Sequence, residues 1–193
     1  EVVVPPTFVW NESVERAWAA QGLAVLVTPG ERYEMRGADG LPVDTGICLH
    51  NGQRCTSGLL AMVRNDYFEP LRGHRADHGL ESLATKWAQR RPLLLETHRS
   101  NFVGAKAQRT ESVRAIGDLV SAALRSQPEL RFLTVAELAR HYAQGGDLID
   151  RRPWTRTMAL LHRLDRPGRR RKIFGGLAVL TAASAVAALV TAT

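Results

Sequence analysis

The sequence has little cysteine: Cys48 and Cys55 are the only two among 193 residues, so at most one disulfide bond can form. Asn51 and Gly52 lie between them and favour a two-residue type I′ hairpin turn, which would place Cys48 opposite Cys55. Directly opposed residues are within disulfide reach, so the pair forms either a disulfide or two reduced thiols. A zinc site built from both cysteines and His50 would lack a fourth ligand.

The first 150 residues also lack a charge excess of either sign, because 17 basic residues are balanced by 18 acidic ones. The net charge of +7 therefore comes from residues 151–172, which contain nine Lys or Arg and a single acidic residue, Asp165. Such a cluster attracts nucleic-acid phosphates or anionic lipid headgroups. An uncharged segment follows directly, which favours membrane lipid as the partner and no nucleic acid.

That segment, residues 173–192, has no charged side chain over twenty residues. At ~1.5 Å per residue it matches the ~30 Å hydrocarbon core of a bilayer, which predicts a single C-terminal transmembrane helix. The alternative is a buried, alanine-rich core helix. The preceding run Arg169–Lys172 favours a cytoplasmic folded part, whereas a Cys48–Cys55 disulfide or an extracellular glycan substrate would favour the opposite side.

Helix and strand patterns alternate along the rest of the chain. Helices are predicted after the N-caps Asn11 and Thr134, the second with a capping box to Glu137, and over residues 81–91 and 110–126. Strands are predicted over residues 23–27, 93–96 and 131–133, and residues 28–45 are typical of a long loop. In the 110–126 helix, the expected buried face consists of Val113, Ile116, Leu119, Val120 and Leu124. This order predicts an α/β fold with too few strands for a closed barrel.

The strand pattern Leu93–Leu95 ends in a polar cluster that contains His98, Arg99 and Asn101. In a parallel α/β sheet, the loop after the carboxyl end of a strand faces the ligand crevice. His98 is therefore a candidate catalytic residue, and the alternative is a loop histidine bonded to the backbone.

Three stretches of the sequence resemble the polysaccharide deacetylase family. The stretch Thr97–Gly104 reads Thr-His-Arg-Ser-Asn-Phe-Val-Gly and is similar to the final motif of one branch of that family. Val4–Asn11 resembles the middle strand and Trp-Asn loop of that branch, and Leu60–Pro70 resembles the strand and turn that follow. The resemblance covers about Val2 to Tyr142.

The resemblance implies a partial (β/α) barrel of the glycoside hydrolase/deacetylase type, followed in this chain by the C-terminal transmembrane helix. It also implies metal-dependent hydrolysis of N-acetyl groups on a polysaccharide or oligosaccharide, with His98 as the acid that protonates the departing amine. Six other residues at the corresponding strand ends would line the substrate site: Trp10, Asn11, Arg64, Asn65, Arg99 and Asn101.

In that family the catalytic aspartates and the histidine pair that complete the metal site precede the strand that corresponds to Val2. The chain is therefore expected to be the carboxyl-terminal part of the domain, with the ligands of the divalent metal lying elsewhere. The predicted organisation is a deacetylase-like part over residues 1–147, a basic juxtamembrane segment over 148–172 and a transmembrane helix over 173–192. The alternative function is a catalytically inactive, membrane-anchored glycan-binding or scaffold module.

His74 and His78 have the i, i+4 spacing with which two histidines can hold one metal ion on a helix. Arg72, Gly73 and Gly79 around them are typical of a loop that enters a helix, where this geometry is not assured. We therefore expect a solvated loop and no metal ligands in this chain.

Overall fold

The computed structural model describes residues 1–146 together with 148, 152–155 and 157. The chain divides into two units, Glu1–Ile149 and Asp150–Thr193. The predicted transmembrane helix over 173–192 and most of the basic segment lie outside the described residues. Within the described part, no helix has both the length and the apolar character needed to cross a bilayer.

The protein has a mixed α/β fold, but the predicted alternation holds only in part, because no α-helix interrupts the strands between residues 25 and 67 and no strand lies between the helices at 106–126 and 135–144. The strands are β1 (Val2–Val3), β2 (Val25–Thr28), β3 (Glu31–Arg36), β4 (Pro42–Cys48), β5 (Gln53–Arg54), β6 (Leu60–Val63), β7 (Asp66–Tyr67) and β8 (Leu95–Glu96). The α-helices are α1 (Glu12–Ala20), α2 (Ala76–Ala88), α3 (Lys106–Ser126) and α4 (Val135–Gln144). Short 3-10 helices cover Pro6–Phe8, Pro70–Arg72 and Arg99–Asn101.

The main sheet has the strand order β1-β2-β6-β5. Strands β1, β2 and β6 are parallel, and β5 pairs with β6 in the antiparallel direction. Every residue of β2 and β6 is buried, as expected for a parallel strand covered on both faces. Strand β7 follows β6 after two residues and pairs in parallel with β8 in a separate two-stranded sheet.

Successive residues of β2 and β6 face opposite sides of the sheet and form two cores. Val25, Val27 and Met62 pack on one face with Ala139 of α4. Leu26 and Ala61 pack on the other face with Trp10 and with side chains of α1. Helices therefore cover both faces of the sheet and leave its carboxyl edge open to the connecting loops.

The predicted N-caps of α1 and α4 are confirmed, whereas α2 and α3 begin at Ala76 and Lys106, several residues before the predicted starts at 81 and 110. The Asn11 side-chain oxygen accepts a hydrogen bond from the Val14 amide at the start of α1. Thr134 and Glu137 form the predicted capping box at the start of α4. Each bond satisfies a main-chain group that would otherwise lack a partner in the first helical turn.

The predicted buried face of α3 is wrong in part. Its buried residues are Ser112, Ala115, Leu119 and Ala123, whereas Val113 and Leu124 are exposed. The face is shifted because α3 packs closely on α2, where a Cβ atom at Gly79 would lie only 2.5 Å from Cδ1 of Leu119. Small side chains suit this close approach better than the larger apolar ones.

Three local predictions are wrong. Residues 28–45 were predicted to form a long loop, but they contain most of the antiparallel hairpin of β3 and β4. The glycines and the prolines that suggested a loop lie at the turn and the ends of this hairpin. Asn51 and Gly52 form a turn closed by the Gln53 amide and the His50 carbonyl, but only Gly52 has a positive φ, so a type I′ turn does not form. Residues 131–133 form no strand.

The two cysteines consequently do not face each other across one hairpin. Cys48 pairs with Glu31 of β3, and Cys55 follows β5, which pairs with β6. Both thiols are free. The register that would have opposed them is lost because the strands on the two sides of the Asn51 turn belong to different sheets.

Candidate functional site

The site lies at the carboxyl ends of β6 and β8. Arg64 follows β6 directly, Glu96 ends β8, and His98 comes two residues later. Strands β6 and β8 belong to different sheets. The parallel pairing of β7 with β8 and the ion pair of Arg64 with Glu96 bring these residues together, although more than 30 positions separate Arg64 from His98.

His98 is held by the buried carboxylate of Glu69. The His98 Nδ1 atom lies 2.7 Å from Oε1 of Glu69, and the His98 main-chain amide donates to the same oxygen at 3.1 Å. The side chain of Glu69 is only 4% exposed, whereas that of His98 is 53% exposed. An ionised carboxylate only accepts hydrogen bonds, so Nδ1 carries a proton, and Nε2 lies on the other side of the ring.

Glu69 is ionised despite its burial. Burial alone would raise its pKa, but hydrogen bonds from Asn101 and from the side chain and backbone of His98 outweigh that effect and hold the pKa below the usual value of 4.5. The carboxylate therefore offers a fixed negative charge beside the His98 ring, which stabilises an imidazolium and orients it.

Asn101 completes the support of Glu69. Its amide nitrogen donates to Oε2 of Glu69 at 2.6 Å and to the His98 carbonyl at 2.9 Å, and its amide oxygen accepts from the Leu71 amide at 3.0 Å. The side chain is fully buried. Asn101 was predicted to bind substrate, and the structure places it beneath the histidine, where it joins two loops.

A second carboxylate lies on the other side of the imidazole. Oε1 of Glu96 is 3.5 Å from Nε2 of His98 and also forms an ion pair with Nη1 of Arg64. The Tyr67 side chain hydrogen-bonds to Glu96, and burial, followed by the charge of Glu96, raises the pKa of this phenol. His98 is therefore flanked by two carboxylates. Glu69 bonds to His98 and Asn101, and Glu96 is shared between His98 and the Arg64 guanidinium.

Arg64 is largely buried beside this pair. Its guanidinium carbon lies 4.1 Å from the centre of the Phe8 ring, within cation–π range. The Nε and Nη2 atoms of Arg64 are buried and have no hydrogen-bond partner among the described residues. Phe8 and its neighbour Thr7 both have positive φ angles, 57° and 52°, and non-glycine residues with this backbone conformation are concentrated at functional sites.

The other predicted substrate residues have structural partners or are exposed. Asn65 donates to the Pro92 carbonyl at 2.8 Å and accepts from the Leu94 amide at 3.1 Å, so it ties β8 to β6. Asn11 caps α1, and Arg99 is exposed next to His98. The structure therefore brings Arg64, Asn101 and Arg99 to the surroundings of His98.

Trp10 belongs to a different buried cluster. The residue is only 3% exposed, and its indole nitrogen donates to Oε1 of Glu15 at 2.8 Å. Arg32 and Ser57 donate to the same carboxylate at 3.3 and 3.0 Å. Glu15 is fully buried, and three donors from separate segments compensate its charge. In this structure the Trp10 ring is not presented to a ligand.

Sequence reasoning missed Glu69, Glu96 and Tyr67. Glu96 lies within the Leu-Glu-Thr-His stretch, so its proximity to the histidine was readable from the sequence. Glu69 precedes His98 by 29 residues, and no local spacing connects them. The available signal was an acid directly after the aromatic pair Tyr67 and Phe68, in the strand-and-turn stretch of the family resemblance.

Among the described residues, no group of three or more His, Cys, Asp or Glu side chains is arranged so that it could hold a metal ion. The prediction that His74 and His78 lie in a loop is correct for His74, which precedes α2, and wrong for His78, which lies within this helix. Their rings stack with centroids 4.0 Å apart. The described residues therefore do not fit the divalent metal that the family resemblance implies.

Comparison with known proteins identifies no relative: no protein-family model, no curated protein and no solved structure matches the chain. The similarity to polysaccharide deacetylases stays a prediction. Function is therefore inferred from the residues and from the geometry around His98.

Proposed function

We propose that the chain is the carboxyl-terminal part of a membrane-anchored, polysaccharide deacetylase-like hydrolase that removes N-acetyl groups from a glycan. The observation that carries the proposal is the pairing of the exposed His98 ring with the buried Glu69 carboxylate at a strand end. A partial barrel of the deacetylase type would place this pair in the substrate cleft. The segment 173–192 would anchor the chain, and the basic residues before it would contact anionic headgroups.

The role of His98 in this reaction is general acid catalysis. When water has added to the amide carbonyl, Nε2 of the imidazolium gives its proton to the nitrogen, the C–N bond breaks, and acetate and the free amine leave. Glu69 keeps the Nδ1 proton in place and stabilises the charged ring before the transfer. The base that takes the proton from the attacking water would lie outside the described residues. The ligands of a divalent metal would lie there too, because no group of three His, Cys, Asp or Glu side chains among the described residues could hold one.

Two exposed side chains beside His98 suit a sugar substrate. Tyr67 is 46% exposed and bears a phenol, and Arg99 is exposed on the loop that follows the histidine. The Tyr67 hydroxyl donates its proton to Glu96, so its oxygen can accept from a sugar hydroxyl, and the Arg99 guanidinium can donate to sugar oxygens. The buried Asn101 and Arg64 would support the cleft from below.

The test measures acetate release from an N-acetylglucosamine oligomer by the complete gene product in membranes. His98→Ala should lower kcat by about 100-fold or more, the usual contribution of a general acid. Glu69→Gln should lower kcat by about 10-fold, because the ring loses its orienting charge. His50→Ala, at a half-buried histidine on the β4–β5 connection, should leave kcat unchanged.

Acetate release that is equal in His98→Ala and in the unmodified protein would overturn the role of His98. Oligomer binding without acetate release in any variant would instead favour the binding-module alternative. Anchoring is tested separately by alkaline extraction of membranes. The full chain should stay in the pellet, and a variant that ends at Lys172 should be released.

A further inference from the structure

The main chain of Glu69 is tied to a second histidine, His74. The Glu69 amide donates to Nδ1 of His74 at 3.1 Å, and the His74 amide donates to the Glu69 carbonyl at 3.2 Å. These two reciprocal bonds close the loop around the 3-10 helix Pro70–Arg72, where Gly73 turns the chain with a φ of 89°. The residue that orients His98 is thus held in place by an imidazole ring.

This contact sets the protonation state that His74 must have. A ring nitrogen can accept a hydrogen bond only when it carries no proton. A proton on Nδ1 of His74 would set two N–H groups against each other and break the bond to Glu69. The fixed position of Glu69 therefore requires a neutral His74 with its proton on Nε2.

The neighbouring His78 shares the environment of His74. The two rings are stacked at 4.0 Å with an interplanar angle of 26°, so two positive charges would repel each other there. Nε2 of His78 lies 3.0 Å from the Tyr67 carbonyl and 3.6 Å from Oδ1 of Asp66. A proton on Nε2 of His78 thus meets acceptors, whereas a proton on Nδ1 of His74 meets the Glu69 amide.

The charged and titratable groups around this loop come from several elements. Arg75 donates to the His74 carbonyl and pairs with Glu111 of α3 at 3.7 Å. The groups bonded to this loop or lying within it are Asp66 on β7, Glu69, Arg72, Arg75, Asp77 and His78 at the start of α2, Glu111 on α3, and, through Glu69, His98 after β8.

We propose that His74 is a positioning residue for His98, acting through Glu69, and that protonation of His74 releases this support in acid. Neutral His74 fixes the Glu69 backbone, and the Glu69 carboxylate fixes the His98 ring. Loss of the first bond frees the loop and lets the His98 ring leave its orientation. The catalytic consequence rests on the proposed function, whereas the structural coupling of His74 to Glu69 does not.

Two substitutions separate these effects. In His74→Asn, the amide oxygen takes the place of Nδ1, so the Glu69 amide keeps an acceptor that cannot be protonated in this range. In His74→Ala, the acceptor is lost at every pH. If the role of His74 were only to fill space, the asparagine variant would not differ from wild type in its response to pH.

The experiment follows the Glu69 amide and the His98 ring by NMR on the full chain in micelles, between about pH 8 and pH 5, the range in which imidazoles titrate. In wild type, the Glu69 amide resonance should move with the same midpoint as the His74 ring. In His74→Asn it should stay constant, and in His74→Ala it should already have its acid position at about pH 8. A wild-type Glu69 amide that does not follow His74, or an asparagine variant that titrates like wild type, would overturn the proposal.

An activity measurement on the complete gene product tests the catalytic consequence. His74→Ala should lower kcat by about 10-fold with KM unchanged, because the acid is misplaced and not removed. His74→Asn should restore kcat and extend activity to lower pH than wild type. If no form releases acetate, the proposed function fails, and the NMR result still decides the coupling of His74 to Glu69.

Discussion

The amide nitrogen of Asn101 lies 2.6 Å from Oε2 of Glu69, a residue 32 positions earlier in the chain. Both side chains are buried, and together they join the loop after β7 to the loop after β8. Hydrogen bonds in a buried environment are stronger than in water, and a missing partner costs correspondingly more. The contact therefore supports both the stability of this edge of the sheet and the orientation of His98.

Removal of the Asn101 side chain should strongly destabilise the fold. Asn101→Ala leaves the Leu71 amide and Oε2 of Glu69 without the partner that Asn101 supplies, and the His98 carbonyl keeps only its bond from the main-chain amide of residue 101. We expect the free energy of unfolding to fall by about 3–5 kcal/mol, measured by urea denaturation. Ser100→Ala, at the neighbouring exposed position, is the control and should change it by less than about 0.5 kcal/mol. A similar small change for both variants would contradict the assigned role of Asn101.

The stability contributed by Glu69 should depend on pH in a defined direction. Hydrogen bonds from Asn101 and His98 overcome the effect of burial and lower its folded-state pKa below 4.5. A carboxyl with a lowered folded-state pKa stabilises the fold above its unfolded-state pKa, and that contribution is lost as the pH falls through the folded-state value.

Glu69→Gln should therefore be less stable than wild type near neutral pH, and the difference should shrink as the pH falls below about 4.5. Urea denaturation of both proteins over this range measures the difference. Glu129→Gln, at an exposed glutamate, is the control for the loss of one charge. A stability difference that grew towards acid would show that the sign is wrong.

Cys55 should react slowly with thiol reagents. Burial, and to a lesser extent the nearby Glu15 carboxylate, raises the pKa of its thiol to about 11. At about pH 8 the thiolate fraction would be ~100-fold lower than that of an ordinary cysteine. In a Cys48→Ser variant, labelling should be slow at this pH and should accelerate by about 10-fold per pH unit below the pKa. The same variant labelled in denaturant is the control, and equally fast labelling in the folded protein would contradict the prediction.

Two glycines in the helices should respond oppositely to alanine. A Cβ atom at Gly79 would lie 2.5 Å from Cδ1 and 2.6 Å from Cδ2 of the buried Leu119, so Gly79→Ala should destabilise the protein by about 1–3 kcal/mol. Gly117 in α3 is exposed and has no atom within 4 Å of a built Cβ. Gly117→Ala should therefore stabilise the protein by about 0.5–1 kcal/mol. Thermal unfolding of the two variants checks both signs, and destabilisation by Gly117→Ala would contradict the helix packing described here.

Local patterns in the sequence were enough to find the N-caps of α1 and α4 and the buried strand β2. The capping positions Asn11 and Thr134 depend only on residues within the next helical turn. The apolar run of β2 indicates burial on both faces without reference to any distant residue. These predictions are confirmed because their physical causes are local.

The predictions that failed depended on distant partners. The hairpin of β3 and β4 has no buried face, so it lacks the alternation of apolar and polar residues that marks a half-buried strand. The buried face of α3 is selected by the close approach of Gly79 on another helix. Cys48 and Cys55 are separated because their strands join different sheets.

The residues of the candidate site also divide into those that local patterns predict and those that depend on distant partners. His98 could be found because a polar cluster ends an apolar strand pattern, and Arg64 because it follows a buried strand. The pairing with Glu69 could not be found, since it requires two loops to converge across 29 residues. Asn101 was chosen for its position next to His98, and its burial under Glu69 became visible only in three dimensions.

One of the bonds that fix Glu69 comes from the main-chain amide of residue 98. Every amino acid except proline supplies this donor, and Asn101 supplies another regardless of which side chain stands at position 98. Replacing the imidazole thus removes one bond from Glu69 and leaves the anchoring network in place. We therefore expect His98→Ala to keep its fold. Under the proposed function it would lack the general acid and could retain an intact substrate for structural study.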